Sequence, residues 1–296
     1  MAFIRRRVSA WQLLSRTLGL GERTIVMGVL NVTPDSFSDG GVFFSTEAAV
    51  EHAMNMLDDG ADLIDIGGES TRPGSHPISA QQELDRVLPV VEEVLRERPE
   101  TIFSIDTYRS ETARAAVPTG IEIVNDVSAF SWDEGMARTC AELRCGVILM
   151  HTHGRPNEWR TQPRLAQTEV VPLVRDGLGA ALAQAVEGGI DRSRIVVDPG
   201  YGFGKILDNN YPLLAHLDDL LALGQPLLAG LSRKSFLGRT LGRASGGPDV
   251  PVNQRGNATL AATTAAILAG ASIIRVHEVC PAVEAARIAD AILAEV

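Results

Sequence analysis

Two acids, an amide and an amine stand where short apolar runs of this chain give way to polar sequence: Asp106, Asn125, Asp198 and Lys234. Gathered in one mouth, they suit a flat heterocycle that displays both donors and acceptors. A carboxylate such as Asp198 pairs with an adjacent N–H and NH2 in bidentate fashion, while Lys234 keeps the acids ionised and offers a proton to a ring oxygen or nitrogen. A salt-bridge network closing the top of a barrel is the alternative, but charges at strand ends cost desolvation that a purely structural design avoids. Asn31, Arg72, Arg275 and His277 add neutral and cationic donors that fit an anion such as diphosphate.

The elements that must position these groups follow from the pattern. Eight apolar runs, at 25–30, 63–66, 102–105, 121–124, 147–150, 195–197, 227–231 and 273–274, alternate with segments of helical periodicity. The helical segments fall at 46–59, 80–96, 111–117, 168–187, 211–223, 257–269 and 281–295. Continuous Val/Ile/Leu strands alternating with helices predict a parallel sheet buried on both faces. A TIM-type (β/α)8 barrel places every strand C-terminus on one face, which turns scattered polar residues into one pocket. The competing doubly wound sheet calls for a Gly-rich first turn, and residues 31–41 carry no dinucleotide fingerprint. The loops at 31–41 and 67–77, rich in Gly and anchored by Pro34 and Pro73, are expected to be mobile lids on the catalytic face. The stretch 243–255 reads as a rim loop.

At 296 residues with 45% apolar content, the chain suits one barrel at 23–296 preceded by a short N-terminal extension at 1–22 covering its bottom. A net charge of −10 argues against nucleic acid as a partner, and no apolar stretch is long enough to span a membrane. Three cysteines, Cys140, Cys145 and Cys280, fit a reducing compartment, and Arg5–Arg7 precede no secretory apolar segment, so the expected location is cytoplasmic.

Several motifs are weak. Residues 200–205, Gly-Tyr-Gly-Phe-Gly-Lys, fail the spacing of both phosphate-loop and dinucleotide motifs, and their glycines are read as turning the chain after Asp198-Pro199. His151 and His153 lack a third zinc ligand and are read as pocket or core residues. Ser70 and Ser232 have no evident histidine base, so nucleophilic hydrolysis is disfavoured.

Residues 27–41, Met-Gly-Val-Leu-Asn-Val-Thr-Pro-Asp-Ser-Phe-Ser-Asp-Gly-Gly, and 61–74, Ala-Asp-Leu-Ile-Asp-Ile-Gly-Gly-Glu-Ser-Thr-Arg-Pro-Gly, resemble the two leading signatures of the dihydropteroate synthase family of the folate pathway. The blocks at 104–107, 124–126, 149–151, 198–205, 232–235 and 275–277 resemble its remaining ones in the same order. The resemblance implies a transferase joining 6-hydroxymethyl-7,8-dihydropterin diphosphate to 4-aminobenzoate, with Mg2+ as cofactor, sulfonamides as inhibitors and a homodimer as the assembly. It implies that Asp106, Asn125, Asp198 and Lys234 hold the pterin, with Met150 and Phe203 lining the slot. Asn31, Thr71, Arg72, Arg275 and His277 would serve the diphosphate, Asn31 also reaching Mg2+; Phe37, Pro73, Ser232 and Lys234 would shape the aminobenzoate site. Thr152-His153 and Glu278 depart from the family's usual residues without touching these roles.

Loss of diphosphate to a pterin cation followed by amine attack is the expected course, with Asp35, Asp106 and Lys234 as catalytic residues and Asp35 meeting the cation or the amine. Methyl transfer from a folate to a corrinoid is a rival that has no use for the anion cluster. A pterin-binding paralogue without activity is a second, marked by loss of Arg72, Lys234 or the first lid, all of which are intact.

Overall fold

Alternation along short strands decides what faces the barrel interior. In this computed structural model, which describes residues 3–33, 46–70, 77–159, 161–163 and 165–296, an N-terminal hairpin of β1 (Ser9–Gln12) and β2 (Thr17–Leu20) precedes the barrel. The strands and helices then alternate: β3 (Ile25–Asn31), α1 (Thr46–Asp58), β4 (Leu63–Gly67), α2 (Ala80–Glu97), β5 (Phe103–Asp106), α3 (Ser110–Ala116), β6 (Ile123–Asp126), α4 (Met136–Leu143) and β7 (Gly146–Met150). There follow α5 (Gln167–Glu187), β8 (Ile195–Asp198), α6 (Asn210–Ala215), β9 (Leu228–Ala229), α7 (Ser235–Ser245), α8 (Gly256–Leu268), β10 (Ile273–Val276) and α9 (Val279–Leu293).

Strands β3 to β10 form one parallel sheet in the order β8-β7-β6-β5-β4-β3-β10-β9. A parallel bridge between Val197 and Leu227 joins its two ends, so the expected TIM-type barrel is the fold the chain adopts. Met27, Leu63, Ile102, Ile123, Ile148, Val196, Leu228 and Ile273 come from all eight strand positions yet form a single apolar cluster, which identifies the interior. Trp11 and Leu13 of the hairpin segment join that cluster, and Trp11 Nε1 donates to Arg194 O at 2.8 Å. Two residues beyond these apolar positions, the same inward phase carries Asp65, Asn125, Met150, Asp198 and Arg275. A greasy floor therefore gives way directly to a charged mouth. The strands' outward residues pack under the helices in the larger apolar core.

Four elements differ from expectation. The run at 227–231 yields a strand of only two residues, because the chain leaves the sheet after Ala229. The helix expected at 211–223 stops at Ala215 and continues, past His216, as a 3-10 turn over Leu217–Leu223. Helix α4 was not anticipated. Neither was α7, whose Gly238 and Gly242 obscure its periodicity; a Cβ at either would meet the backbone of 248–250 within 2.6 Å. The rim loop expected from 243 begins only after α7 ends at Ser245, at Gly246 with φ 70°.

Candidate active site

Asp65 lies at the centre of the mouth. Its Oδ2 accepts from Asn125 Nδ2 at 3.0 Å and from Arg275 Nε at 2.6 Å, and its side chain is fully buried. Arg275 Nη2 also donates to Asp106 Oδ2 at 2.9 Å. One guanidinium thus bridges two carboxylates from β4 and β5, and a forked donor suits that geometry better than an ammonium. Asp106 and Asn125 are paired in register across β5 and β6, which fixes the amide beside the acids.

Asp198 faces this group from β8, paired in register with Met150 of β7. Its Oδ1 accepts the backbone N–H of Gly200 at 2.7 Å. Lys234 approaches from the start of α7, with Nζ 4.2 Å from the centroid of the Phe203 ring. Arg233, between Ser232 and Lys234, has φ 59°, a left-handed conformation rare for an arginine. That turn is held by Arg233 N donating to Thr259 Oγ1 at 3.0 Å and Arg255 Nη1 donating to Arg233 O at 2.9 Å. Strain of this kind clusters at functional sites.

Burial dominates the electrostatics. It pushes Asp198 up to about 6, against the lowering influence of the Gly200 N–H, Lys234 and Arg275. Burial, then the neighbouring Asp65, pushes Asp106 up to about 7, with Arg275 opposing. Burial and Arg275 together bring Lys234 down to about 8, while Asp198 and Asp106 resist. Two acids and an amine are thereby poised within reach of neutral pH, as acid–base sites require.

Sequence reasoning set Arg275 beside His277 at an anion site, and the two make different bonds. Arg275 sits among the acids, whereas the His277 N–H and Nδ1 lie 3.2 and 2.9 Å from Ser232 Oγ. Asn31 ends β3 beside Gly67 of β4, on the inward phase of Met27. Asp35, Phe37, Thr71, Arg72 and Pro73 lie outside the described residues. The segment 67–77 is described at its two ends, and Glu69 at the first reaches the second: Oε2 accepts from Ile78 N at 3.4 Å, while Oε1 accepts from Tyr108 OH at 2.9 Å and Arg109 pairs with the carboxylate at 2.5 Å.

Asp65 lies inside an apolar run and not at its end, so the pattern that marks Asp106, Asn125 and Asp198 does not mark it. The signal was present: an aspartate inside Leu-Ile-Asp-Ile, two residues after an inward leucine. Lys205, buried behind Asp198, was passed over with its glycine-rich loop.

A parallel barrel whose mouth sets carboxylates and an amide opposite a lysine defines a class of heterocycle-binding enzyme, and the sequence profile described as "Pterin binding enzyme" matches residues 27–277. The chain belongs to that family. It is 40% identical to the dihydropteroate synthase of Bacillus subtilis, over 93% of this chain and 91% of that one. The dihydropteroate synthase of Xanthomonas albilineans solved with 4-aminobenzoic acid superposes with a TM-score of 0.87 at 40% identity, covering 97% of this chain and 99% of that one. The same enzyme in complex with 7,8-dihydropteroate gives 0.82 at 39% identity, covering 96% and 99%.

Proposed function

We propose that this chain is a transferase that condenses 6-hydroxymethyl-7,8-dihydropterin diphosphate with 4-aminobenzoate, giving 7,8-dihydropteroate and diphosphate, in folate biosynthesis. The observation that carries the reading is the cluster of Asp65, Asp106, Asn125, Asp198, Lys234 and Arg275 at one barrel mouth. Relatives with this barrel hold 4-aminobenzoic acid and 7,8-dihydropteroate in their solved structures.

In this reading Asp198 accepts the adjacent N–H and NH2 of the pterin, Asn125 and Asp106 meet its other edge, and Lys234 donates to a ring acceptor. Met150 and Phe203 wall the slot. Asn31, Thr71, Arg72, Arg275 and His277 receive the diphosphate, and Phe37, Pro73, Ser232 and Lys234 frame the aminobenzoate. The C–O bond at the pterin methylene breaks with its electron pair going to diphosphate; Asp106 and Asp198 oppose the positive charge left on the ring. The aromatic amine then forms the C–N bond and loses a proton, with Asp35 meeting the cation or the amine.

Residues present fit Mg2+: a carboxamide oxygen from Asn31 is a hard donor, and this ion takes few protein ligands, completing its shell with phosphate and water. Bound there, it would neutralise charge on the leaving diphosphate. Three free thiols, two of them buried, suit a reducing cytoplasm. No helix among the described residues is long and apolar enough to cross a membrane. A homodimer fits the exposed Ile288 and Ile292, one turn apart on α9.

The deciding experiment mixes the protein with the pterin diphosphate and 4-aminobenzoate, with and without Mg2+, and follows release of diphosphate and formation of dihydropteroate. Pterin binding without diphosphate release, or turnover that depends on cobalamin, would overturn the assignment. Asp35→Asn is expected to lower turnover at least tenfold; full turnover would remove Asp35 from its role.

A further inference from the structure

Lys205 is a lysine with no carboxylate in contact. Its side chain is 1% exposed, and Nζ has three neighbours: Phe203 O at 2.9 Å, His151 O at 3.2 Å and His151 Nδ1 at 3.1 Å. Burial brings Lys205 down to about 7, with Asp198 opposing, so the ammonium form is present at and below neutral pH; in that form it carries three donors and meets three acceptors. The match requires a neutral His151 with its proton on Nε2. Burial, then Lys205 itself, brings His151 down to about 2, so the ring is neutral at any working pH.

These contacts fall on the backbone of the pocket. His151 directly follows Met150, and its N–H donates to Asp198 O at 2.9 Å. Phe203 carries the ring that Lys234 faces. Between them the chain from 199 to 206 lies flat on residues 151–153, closely enough that a Cβ at Gly200 would stand 2.0 Å from His151 O and one at Gly204 2.2 Å from His153 O. Asn210 holds the loop from outside, accepting from Gly202 N at 2.7 Å and donating to Lys205 O at 3.0 Å. Lys205 holds it from inside. Burying a lysine costs several kcal/mol unless its donors are satisfied. Leucine or methionine would fill the space at lower cost, so the retained amine and its three contacts call for a purpose connected with the loop.

We propose that Lys205 is a positioning residue for the pterin slot: its ammonium ties the Phe203 carbonyl to His151 and so sets the Phe203 ring against Lys234. The inference rests on the pterin-site reading above and deepens it. Deprived of this tie, the inner side of the glycine-rich loop keeps only the His153 N–H on Phe203 O at 3.2 Å and the edge-on contact of the Phe203 ring with Trp159, and the wall of the slot moves while the diphosphate lip stays in place.

Lys205→Met removes the charge at similar volume, and the two halves of the substrate can be probed separately by calorimetry with 6-hydroxymethylpterin alone and with Mg2+-diphosphate alone. The variant is expected to weaken the pterin at least tenfold and to leave diphosphate within twofold. Pterin affinity within twofold of the parent, or equal losses for both probes, would overturn the proposal. Should Lys205→Met fail to fold, His151 supplies the test. Asparagine at that position keeps an acceptor where Nδ1 stood and leucine does not, so His151→Leu is expected to lose tenfold in pterin affinity and His151→Asn less than threefold. Equal affinities for those two variants would sink the idea. An unmodified protein that bound no pterin would instead bring down the functional reading itself, and this inference with it.

Discussion

Arg275 Nε donates to Asp65 Oδ2 across 2.6 Å, tying β10 to β4 past the intervening β3. The bond lies inside the barrel, where Asp65 is fully buried, and the guanidinium reaches on to Asp106. Removing Asp65 leaves Arg275 paired with Asp106, so the loss is that of a charge-assisted hydrogen bond, about 1.5–3 kcal/mol, and not the full cost of an uncompensated buried charge.

Asp65→Leu is therefore expected to lower the unfolding free energy by about that amount and to abolish turnover. The double variant Asp65→Leu/Arg275→Met also takes the cation from Asp106 and so favours its protonated form; it should recover part of the stability and none of the activity. Chemical denaturation and a diphosphate-release assay on the same preparations decide it. Recovery of activity in the double variant would show that the pair has no part in the site.

The site's charges predict a bell-shaped pH profile. Binding the pterin needs Asp198 ionised and Lys234 protonated, and these groups sit at about 6 and about 8. The value of kcat/KM for the pterin diphosphate should rise as pH climbs past the first and fall beyond the second. Asp106, pushed up to about 7 by burial and the nearby Asp65 carboxylate, broadens the acid limb. A profile flat over about pH 5 to 10 would contradict the assignment of both groups.

Asp198 also carries a stability cost. Its carboxyl in the folded protein takes up a proton near pH 6, well above the ordinary value of 3.8. A raised acid stabilises the fold most below its ordinary value and loses that contribution as pH rises through the raised one, so at pH 7 the buried charge is a burden. Asp198→Asn should raise stability at pH 7 by about 1–2 kcal/mol, show no gain near pH 4, and lose pterin binding. Thermal midpoints at the two pH values, beside a pterin titration, test both halves; lower stability at neutral pH would contradict the electrostatic account.

The barrel was legible because its physics is local: apolar strands too short for anything else, each followed by a helix and a polar turn. Asp106, Asn125 and Asp198 were legible for the same reason, since a polar residue at a strand end is visible without knowing the partners. Asp65 was not, because its meaning depends on alternation: only knowing that Leu63 points inward shows that Asp65 does too. Arg275 follows Ile273 on that phase, and the partners it finds there come from β4 and β5, a proximity that no spacing in the sequence encodes. Lys205 was hidden by its glycines, which read as a turn after Asp198-Pro199 and concealed a loop wrapped around its own amine.

Glu69 and Arg109 give the last prediction. Glu69 stands before residues 71–76, and its carboxylate collects the Tyr108 hydroxyl, the Arg109 guanidinium and the N–H of Ile78, which follows them. Arg109 also lies 3.3 Å from Glu83, which accepts from Thr112 at 2.7 Å and is almost wholly buried. One cation thus serves two acids, and without it both must find protons or water. Arg109→Met should loosen Glu69 and Ile78, which flank Thr71 and Arg72, the residues proposed for the diphosphate. The KM for the pterin diphosphate is expected to rise about tenfold, the effect of about 1.4 kcal/mol, while affinity for 6-hydroxymethylpterin alone stays within twofold. Equal weakening of the two ligands would show a general disturbance of the barrel mouth, and no change in either would show that the Glu69–Arg109 contact does not govern diphosphate binding.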